Sequence, residues 1–356
     1  MKTLVINPGS TSTKIAIYEG IKPLWTKTLR HSAEEISKYP KIIDQYEFRK
    51  QIIIESLEEA GVDLNEIEAV VGRGGLLKPI PGGIYLVNDK LIADLRKEMM
   101  GEHASNLGGL IANEIVKVIG NNTKAYIVDP VVVDEMDDIA RFSGSPELPR
   151  LSIFHALNQK AVARRYARDV QKKYQELSLI VVHLGGGISI GVHKGGRVID
   201  VNNALNGEGP FSPERTGTVP VAALTKLCYS GKYTEAEMLK KLTGKGGMYA
   251  YLGTTDAKEV EDKAAAGDEK CMQVYKAMAY QIAKEIGAAA TVLKGKIDAI
   301  LITGGLAYSY LFEEWFEDYV GFLAPIKFYP GEDEMQALAE SVYYSSTGEI
   351  EIKEYN

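Results

Sequence analysis

Near its start the chain reads KTLVINPGSTSTKIAIYEGIKPLWTKTLR over residues 2–30. This stretch predicts three short strands, at 2–7, 14–18 and 24–29, because apolar and β-branched residues dominate each run. A turn rich in Gly, Ser and Thr separates the first two strands, and residues 19–20 predict a hairpin between the second and the third. The pattern predicts a β-β-β unit at the start of the chain.

The same pattern recurs later in the chain. Strands are predicted at 179–183, 189–193 and 197–201, with glycine turns at 185–187 and 195–196. The first strand of each unit is a near-continuous apolar run, as expected for a strand that is buried on both faces of a sheet. The sequence therefore indicates an internal duplication.

Both repeats continue in the same way. The predicted strands at 68–71 and 299–302 run into glycine-rich turns, and those at 124–128 and 327–329 are followed closely by proline. Helical patterns lie between the strands, at 49–60, 89–98, 106–118, 155–173, 218–229, 234–242, 256–265 and 268–293. We therefore predict an α/β fold of two duplicated β-β-β-α-β-α domains with a cleft between them.

The length of 356 residues suits two domains with separate cores. We place the N-terminal domain at residues 1–150 and the C-terminal domain at 151–331, with an insertion at 203–255. A helix is predicted at 332–346, and segment 332–356 is expected to complete the first domain.

Composition limits the classes of partner. Apolar residues make up 45% of the chain and charged residues 25%, which is typical of a globular protein. The net charge of −7, without a block of Lys or Arg, disfavours a nucleic-acid or membrane-surface partner. Cys228 and Cys271 lack C-x-x-C spacing, and no apolar stretch approaches the length of a membrane span. We expect a cytoplasmic protein with small-molecule ligands.

Two equivalent turns of the repeats carry groups that bind phosphate. Residues 7–14, N-P-G-S-T-S-T-K, offer backbone N–H groups, hydroxyls and an ammonium group. Residues 183–189, H-L-G-G-G-I-S, contain three consecutive glycines, whose entropic cost indicates that a ligand needs the bare backbone. Taken alone, the first turn could equally be a ligand-free hairpin turn. The chain has no P-loop, no G-x-G-x-x-G before a helix and no protein-kinase signature.

Residues 5–14, V-I-N-P-G-S-T-S-T-K, resemble the first signature of the acetate/butyrate kinase family, and residues 179–190, L-I-V-V-H-L-G-G-G-I-S-I, resemble the second. The resemblance covers essentially the whole chain. It implies the actin-like ATPase fold, which is ribonuclease H-like, with ATP and ADP as co-substrates and Mg²⁺ as cofactor. Residues 71–80 and 206–215 are more similar to family members that act on butyrate than to those that act on acetate.

The resemblance also implies roles for individual residues. Substrate binding is expected of Arg73, which would hold the acid carboxylate, and of His103, Gly75 and Phe154. Catalytic roles fall on Asp129, His155 and Arg215. Asn7 and Glu334 correspond to the magnesium-associated positions, with Glu332 as the alternative acid. The nucleotide and its phosphates are expected at Ser10, Ser12, Lys14, His183, Gly185, Gly186, Gly187, Asp256, Gly304 and Gly305.

Some residues keep two interpretations. His103 precedes a predicted helix and could cap it, and Asp129 could cap a turn before Pro130. His31 and His193 match no motif and are predicted at the surface or in a hairpin. Gly75 is interpreted as leaving space for an acyl tail longer than acetate.

A short-chain fatty acid is already ionised at neutral pH, since the pKa of a carboxyl group is about 4. The reaction therefore needs positioning and charge neutralisation rather than a general base. We predict reversible phosphoryl transfer from ATP to butyrate or a branched analogue, giving an acyl phosphate, in a homodimer or higher oligomer. The alternatives are a preference for acetate, propionate or isobutyrate, a sugar or polyol kinase, and a non-enzymatic nucleotide switch of the same fold.

Overall fold

The computed structural model describes residues 1–98 and 101–356. The chain divides into two compact units, and each has its own sheet and apolar core. Unit 1 comprises Met1–Asp134 and Asp333–Asn356, and unit 2 comprises Glu135–Glu332. Within the described residues, no helix has the length and apolar content needed to cross a bilayer.

The strands, in chain order, are β1 Lys2–Pro8, β2 Ser12–Glu19, β3 Lys22–Arg30, β4 Ala69–Arg73, β5 Ile84–Leu86, β6 Lys124–Val128, β7 Ser178–Leu184, β8 Ile188–Lys194, β9 Arg197–Val201, β10 Ala299–Gly304, β11 Ile326–Pro330 and β12 Ile352–Glu354. The helices are α1 Ala33–Ile36, α2 Tyr46–Glu59, α3 Asp89–Lys97, α4 Asn106–Ile119, α5 Ala156–Asp169, α6 Val221–Cys228, α7 Glu235–Thr243, α8 Gly247–Leu252, α9 Ala257–Ala265, α10 Glu269–Val292, α11 Tyr310–Val320 and α12 Glu334–Ser346.

The two sheets share one topology. Unit 1 has the order β12-β5-β6-β4-β1-β2-β3, and unit 2 has the order β11-β10-β7-β8-β9. In both, a central strand pairs with an antiparallel hairpin on one side and with two successive parallel strands on the other. The predicted duplication and the α/β fold class are therefore confirmed.

The buried strands form the core of each unit because they are apolar on both faces. β7 is buried over six of its seven residues, and β10 over its whole length. In unit 2, α10 packs on β7 and β8, and its Ala-rich stretch allows a close approach. In unit 1, α4 packs on β4 and β6.

Two helices each follow the last strand of one repeat along the chain but pack on the sheet of the other repeat. α12 follows β11, the last strand of unit 2, but packs on β1, β4 and β6 of unit 1. α5 follows β6 of unit 1 along the chain but packs on β7 and β10 of unit 2. Each sheet is therefore covered on one face by a helix that follows the other repeat.

The structure differs from the sequence prediction in several short elements. α11 is absent from the prediction, although its Leu311, Phe312, Trp315 and Phe316 form one buried helical stripe. β5 and β12 were also not predicted, because three-residue strands carry little periodicity. They extend the unit 1 sheet beyond the duplicated five strands.

The junction between the units lies earlier than the predicted boundary between residues 150 and 151. Unit 1 ends at Asp134, and the segment that follows is bonded to unit 2. Asp137 N donates to Ile199 O over 2.9 Å, and Arg150 Nη1 lies 2.9 Å from Asp200 Oδ1. These contacts join residues about 50–60 positions apart, which sequence patterns do not reveal.

Candidate active site

The turn of unit 1 that is predicted to bind phosphate, at residues 7–14, links β1 to β2 and lies over a buried arginine. Arg49 of α2 is 1% exposed, and its guanidinium donates to the carbonyls of Gly9 over 2.7 Å, Ser10 over 3.0 Å and Ser12 over 3.2 Å. Within the described chain, the N–H groups of Ser10 and Thr11 donate no hydrogen bond. Arg49 therefore holds the carbonyls on the interior side and leaves amide donors for an anion.

Arg49 carries its charge without a carboxylate partner. Its other hydrogen bonds go to Gln45 Oε1 and Thr13 Oγ1, and it forms no ion pair with any residue in 1–98 or 101–356. Burial lowers the pKa of Arg49 to about 10, which still leaves it protonated at neutral pH. The sequence prediction missed this residue, since nothing in the motif at 7–14 points to a position so far along the chain.

His31 and His193 are both buried, so the surface location predicted as one alternative is wrong for both, whereas His193 does lie in the β8–β9 hairpin. His31 Nε2 lies 2.9 Å from Thr13 Oγ1, and its ring packs edge-on against Phe48. Burial and the charge of Arg49 lower the pKa of His31 to about 4. His193 is fully buried within unit 2, and its Nδ1 lies 2.7 Å from Tyr174 OH. Neither contact follows from strand periodicity, which is why the sequence did not predict the burial of either residue.

Arg73, at the end of β4, forms a two-point ion pair with a carboxylate. Its Nη1 and Nη2 lie 3.0 Å from the two oxygens of Glu334, and Asn7 Nδ2 donates to the same carboxylate over 2.7 Å. Glu334 is the first residue of α12, so the packing of that helix on unit 1 brings the three together. The guanidinium of Arg73 is thus oriented to receive a carboxylate in bidentate geometry.

The glycines around Arg73 are required by close packing. A Cβ at Gly72 would lie 2.2 Å from Gly108 O, and one at Gly108 would lie 2.2 Å from Arg73 O. A Cβ at Gly75 would meet Asn106 and Leu95 at 2.7–2.8 Å. The space predicted beside Gly75 is therefore already filled, and the proposed reason for a longer acyl tail is wrong.

His103 and Asp129 lie near the ends of the unit 1 strands and helices. His103 Nδ1 accepts from Ser105 N and lies 2.8 Å from Ser105 Oγ, so its proton is on Nε2. Partial loss of hydration and the charge of Arg73 lower the pKa of His103. Asp129 is buried with φ of 35°, and its Oδ1 accepts from Gly83 N over 2.7 Å. His103 therefore bonds locally at the start of α4, whereas this bond of Asp129 joins it to Gly83, 46 positions earlier in the chain.

In unit 2, each glycine of the turn 185–187 faces a charged or titratable group. A Cβ at Gly185 would lie 3.0 Å from both Glu332 Oε1 and His183 Nε2, and one at Gly186 would lie 3.3 Å from Glu214 Oε1. A Cβ at Gly187 would lie 2.1 Å from Arg215 Nη1.

The guanidinium of Arg215 therefore passes directly over the turn. It is held there by Ala204 O, to which Nη1 donates over 2.6 Å. Ser212, which the prediction missed, ties the same loop to the turn by donating from Oγ to Gly186 O.

Two histidines stack beside this turn. His183, in β7, and His155, at the N-cap of α5, have ring centroids 3.7 Å apart and an interplanar angle of 13°. His183 Nε2 lies 3.0 Å from Glu332 Oε1, and its Nδ1 lies 2.8 Å from Asn158 Oδ1. Of the two acids left open by the sequence, Glu332 therefore pairs with His183 in unit 2, and Glu334 lies with Asn7 in unit 1.

A cavity of about 670 Å³ adjoins the glycine turn of unit 2. Its lining includes Gly185, Gly186, Asp256, Lys258, Glu261, Tyr275, Gly305, Ser309, Tyr310 and Glu332. Its volume lies within the range of small-molecule sites. Gly305 is open, since a Cβ at this position would meet no described atom within 4 Å, whereas Gly304 has φ of 93° and packs against Leu184 O. Gly304 therefore shapes the strand end, and Gly305 faces the cavity.

The predicted site residues fall into two groups. Unit 1 holds Asn7, Ser10, Ser12, Lys14, Arg73, Gly75, His103, Asp129 and Glu334. Unit 2 holds Phe154, His155, His183, Gly185, Gly186, Gly187, Arg215, Asp256, Gly304 and Gly305. Lys14 lies opposite Asn7 in the β1–β2 ladder, and Phe154 is buried. Asp256 caps α9 by accepting from Lys258 N and Glu259 N.

The duplicated sheets and the glycine turn define an actin-like ATPase fold. Solved structures share it: the acetate kinase of Porphyromonas gingivalis has a TM-score of 0.79 at 19% identity, over 96% of this chain and 98% of that one. A propionate kinase from Francisella tularensis has a TM-score of 0.74 at 17% identity, over 96% and 98%.

The family model for the Acetokinase family matches residues 148–310. Butyrate kinase 1 of Clostridium acetobutylicum is 59% identical over 354 residues, which cover 99% of each chain. A probable butyrate kinase of Clostridium botulinum is 56% identical over the same share. The chain belongs to the acetate/butyrate kinase family.

Proposed function

We propose that the protein transfers the γ-phosphoryl group of ATP to the carboxylate of a short-chain fatty acid, with butyrate or a branched analogue preferred, and that the reaction is reversible. The observation that carries the proposal is the 59% identity to Butyrate kinase 1 over nearly the full length of both chains. The site residues of both units are consistent with this chemistry.

The acid is bound by Arg73. Its guanidinium already engages a carboxylate at two points in this structure, that of Glu334, so the orientation needed for bidentate binding exists. His103 adds a donor through its Nε2–H, since Ser105 occupies its Nδ1. A fatty acid is ionised at neutral pH and acts as the nucleophile without a base.

The nucleotide occupies the cavity of unit 2. Its phosphates lie along the bare backbone of the glycine turn, which Arg215 overlies. Gly305 and Asp256 border the nucleoside part of the cavity. Arg215 places positive charge, and the stacked His155 and His183 place N–H donors, beside the transferring phosphoryl group, whose charge must be neutralised in the transition state.

Magnesium is held by Glu334 and Asn7. The carboxylate of Glu334 and the amide oxygen of Asn7 would suit an ion that prefers oxygen ligands and usually takes one or two carboxylates together with substrate phosphates. In this structure Asn7 turns its amide nitrogen to Glu334 over 2.7 Å, so its amide would have to rotate to bind the ion. When bound, Mg²⁺ supplies positive charge against the phosphate oxygens. As a ligand of Mg²⁺, Glu334 would no longer pair with Arg73, and the guanidinium of Arg73 would then be available to the acid.

We also propose that the protein is cytoplasmic and self-associates. Cys271 and Cys228 are both free thiols, which suits a reducing compartment. α6 has apolar side chains but no buried residue, and an exposed apolar helix is typical of a surface that a second copy covers.

The proposal is tested by an acid series from acetate to hexanoate, including isobutyrate, with ATP and trapping of the acyl phosphate as hydroxamate. We expect a maximum at butyrate or isobutyrate, with neighbouring acids within about 10–200-fold, because one methylene contributes only about 1–3 kcal/mol. Polyols and sugars are assayed in parallel. Equal rates across all acids would contradict the butyrate preference, and activity only on a polyol would contradict the acid kinase.

The acid site is tested by Arg73→Ala. Loss of a bidentate charged contact of about 3 kcal/mol predicts a fall of about 100-fold in kcat/KM for the acid. Arg30→Ala, at the exposed end of β3, is the matched control and should retain activity. Full activity in Arg73→Ala would show that its pairing with Glu334 is only structural.

A further inference from the structure

A chain of buried polar side chains leads through unit 2 to His155. Tyr174 OH lies 2.7 Å from His193 Nδ1, and His193 Nε2 lies 3.0 Å from Gln159 Oε1. Gln159 Nε2 lies 2.8 Å from Ser189 Oγ, which in turn lies 2.9 Å from His155 Nδ1. Gln159, Ser189 and His193 are each fully buried. Such a chain can transmit a preference for proton position from one end to the other.

A backbone carbonyl determines which groups donate and which accept in this series of hydrogen bonds. Gln159 Nε2 lies 3.1 Å from Ser189 O as well as 2.8 Å from Ser189 Oγ. A carbonyl oxygen can only accept, so the amide nitrogen of Gln159 must face Ser189 and its oxygen must face His193. The amide orientation of Gln159 therefore follows from its surroundings.

The orientation of Gln159 determines the tautomer of His193. Because Oε1 accepts, His193 Nε2 must carry a proton and donate. Burial, reinforced by the charges of Lys160 and Arg164, lowers the pKa of His193 well below its usual value, so the ring is neutral. His193 Nδ1 then accepts from Tyr174 OH.

At the other end, the same orientation determines the tautomer of His155. Ser189 Oγ accepts a hydrogen from Gln159, and among its described contacts only His155 Nδ1 can accept the proton of this fully buried hydroxyl. A nitrogen that accepts from a hydroxyl carries no proton in a neutral imidazole, so the proton of His155 lies on Nε2. Stacking on His183 at 3.7 Å also restricts rotation of the ring.

Strand β8 has a glycine, Gly191, at the position next to the hydrogen-bonded side chains of Gln159 and His193. A Cβ at Gly191, in the middle of β8, would lie 2.2 Å from Gln159 Oε1 and 3.1 Å from His193 Nε2. Glycine weakens a strand interior, and it often marks a close approach by another group. The amide of Gln159 and the ring of His193 occupy the space that a side chain at this position would fill.

We propose that Ser189, Gln159 and His193 are positioning residues that hold the proton of His155 on Nε2. This rests on the proposed function, in which His155 contacts the transferring phosphoryl group. The held tautomer makes Nε2 a hydrogen-bond donor toward phosphate oxygens without a positive charge on the ring. The other tautomer would direct a lone pair at an anion and would repel it.

The tautomer is measured directly by long-range ¹H–¹⁵N correlation NMR of the full-length protein labelled at histidine. The chain has five histidines, so His155→Gln assigns the signal. We expect His155 Nδ1 to show the shift of an unprotonated nitrogen and Nε2 that of a protonated one. A proton on Nδ1, or on both nitrogens at neutral pH, would overturn the proposal, and neither result depends on any activity assay.

Ser189→Ala tests the role of the chain. We expect a mixture of His155 tautomers. We also expect kcat to fall by about 10-fold or more, with KM values for ATP and acid little changed, because Ser189 orients a reacting group without contacting the substrates. Ser189→Thr, which keeps the hydroxyl, should restore the single tautomer. Ser341→Ala, which removes a buried 2.8 Å hydrogen bond in α12, is the control for loss of stability alone.

An unchanged tautomer in folded Ser189→Ala would overturn the proposal. If that variant does not fold, the wild-type spectrum alone still decides it. An inactive wild-type protein with the expected tautomer would contradict the proposed function and leave the positioning chain standing.

Discussion

At the scale of single residues, Arg49 of unit 1 is a buried charge whose stability depends on hydrogen bonds to one turn. Burying a charge without a counter-ion is costly unless hydrogen bonds replace the lost water. Arg49 receives that replacement from three carbonyls of one turn, together with Gln45 and Thr13. The arginine and the turn therefore stabilise each other, and the arrangement has a direct consequence for phosphate binding.

Arg49→Met should damage both stability and catalysis. Methionine keeps the helix propensity of α2, but it removes the donor to the carbonyls of Gly9 and Ser10, at a cost of about 1–3 kcal/mol each, while Ser12 O keeps its bond from Gly9 N. A displacement of the turn by about 1 Å would lower kcat/KM for ATP by about 100-fold. Urea unfolding and initial-rate kinetics measure the two effects. Arg30→Met is the control, and unchanged kinetics in a less stable Arg49→Met would mean that the turn does not bind phosphate.

His31 predicts a specific sensitivity to acid. Its pKa is about 4 in the folded protein and about 6.5 when unfolded, so the unfolded state takes up the proton first as the pH falls. The stability that neutral His31 provides is present above pH 6.5 and is lost between about 6.5 and 4. The loss is about 3 kcal/mol.

Urea unfolding at pH 7.5 and 4.5 measures this effect. His31→Gln should lose less stability over the same interval, because glutamine does not titrate. An identical loss in both proteins would place the acid sensitivity elsewhere.

At the scale of elements, the C-terminal segment belongs to unit 1. β12 extends the sheet beside β5, and Tyr355, which follows it, is 1% exposed and donates to Asp94 Oδ2 over 2.9 Å. The last residues of the chain thus contribute to the core of the unit in which the chain begins.

Tyr355→Ala should destabilise the protein by about 3–5 kcal/mol, the cost of an aromatic cavity. Tyr355→Phe keeps the ring and should cost about 1.5–3 kcal/mol, because Asp94 loses a donor. Tyr229→Ala, at a tyrosine that is 89% exposed, is the control and should change stability by less than about 0.5 kcal/mol. Wild-type stability of Tyr355→Ala would show that the segment is dispensable.

The elements that the sequence predicted well are the long or strongly patterned ones. The five duplicated strands of each sheet and helices such as α2, α4 and α10 match their predicted positions within a few residues. α11 was missed because its aromatic residues do not separate helix from strand by composition. Its type is decided by packing against α10.

At the scale of the whole molecule, the exposed apolar helix α6 predicts self-association. Val221 is 74% exposed and Leu227 36% exposed, so Glu at both positions should be tolerated by the fold but not by an interface. Sedimentation equilibrium should give a multiple of 39.0 kDa for the wild type and a smaller species for the double variant. Thr26→Glu with Gln51→Glu, at exposed positions of unit 1, is the control. An unchanged mass would move the interface elsewhere.

By itself, the sequence determined the duplication, the two glycine-bearing turns and the family, because these depend on local periodicity and on unbroken motifs. Only the tertiary structure decided what stands around the turns: Arg49 beneath the first, Arg215 over the second, and the chain from Tyr174 to His155. It also decided that Gly75 fills a contact instead of opening a space. These features depend on side chains that meet across distant segments, and hydrogen bonds between such segments leave no periodic trace in the chain.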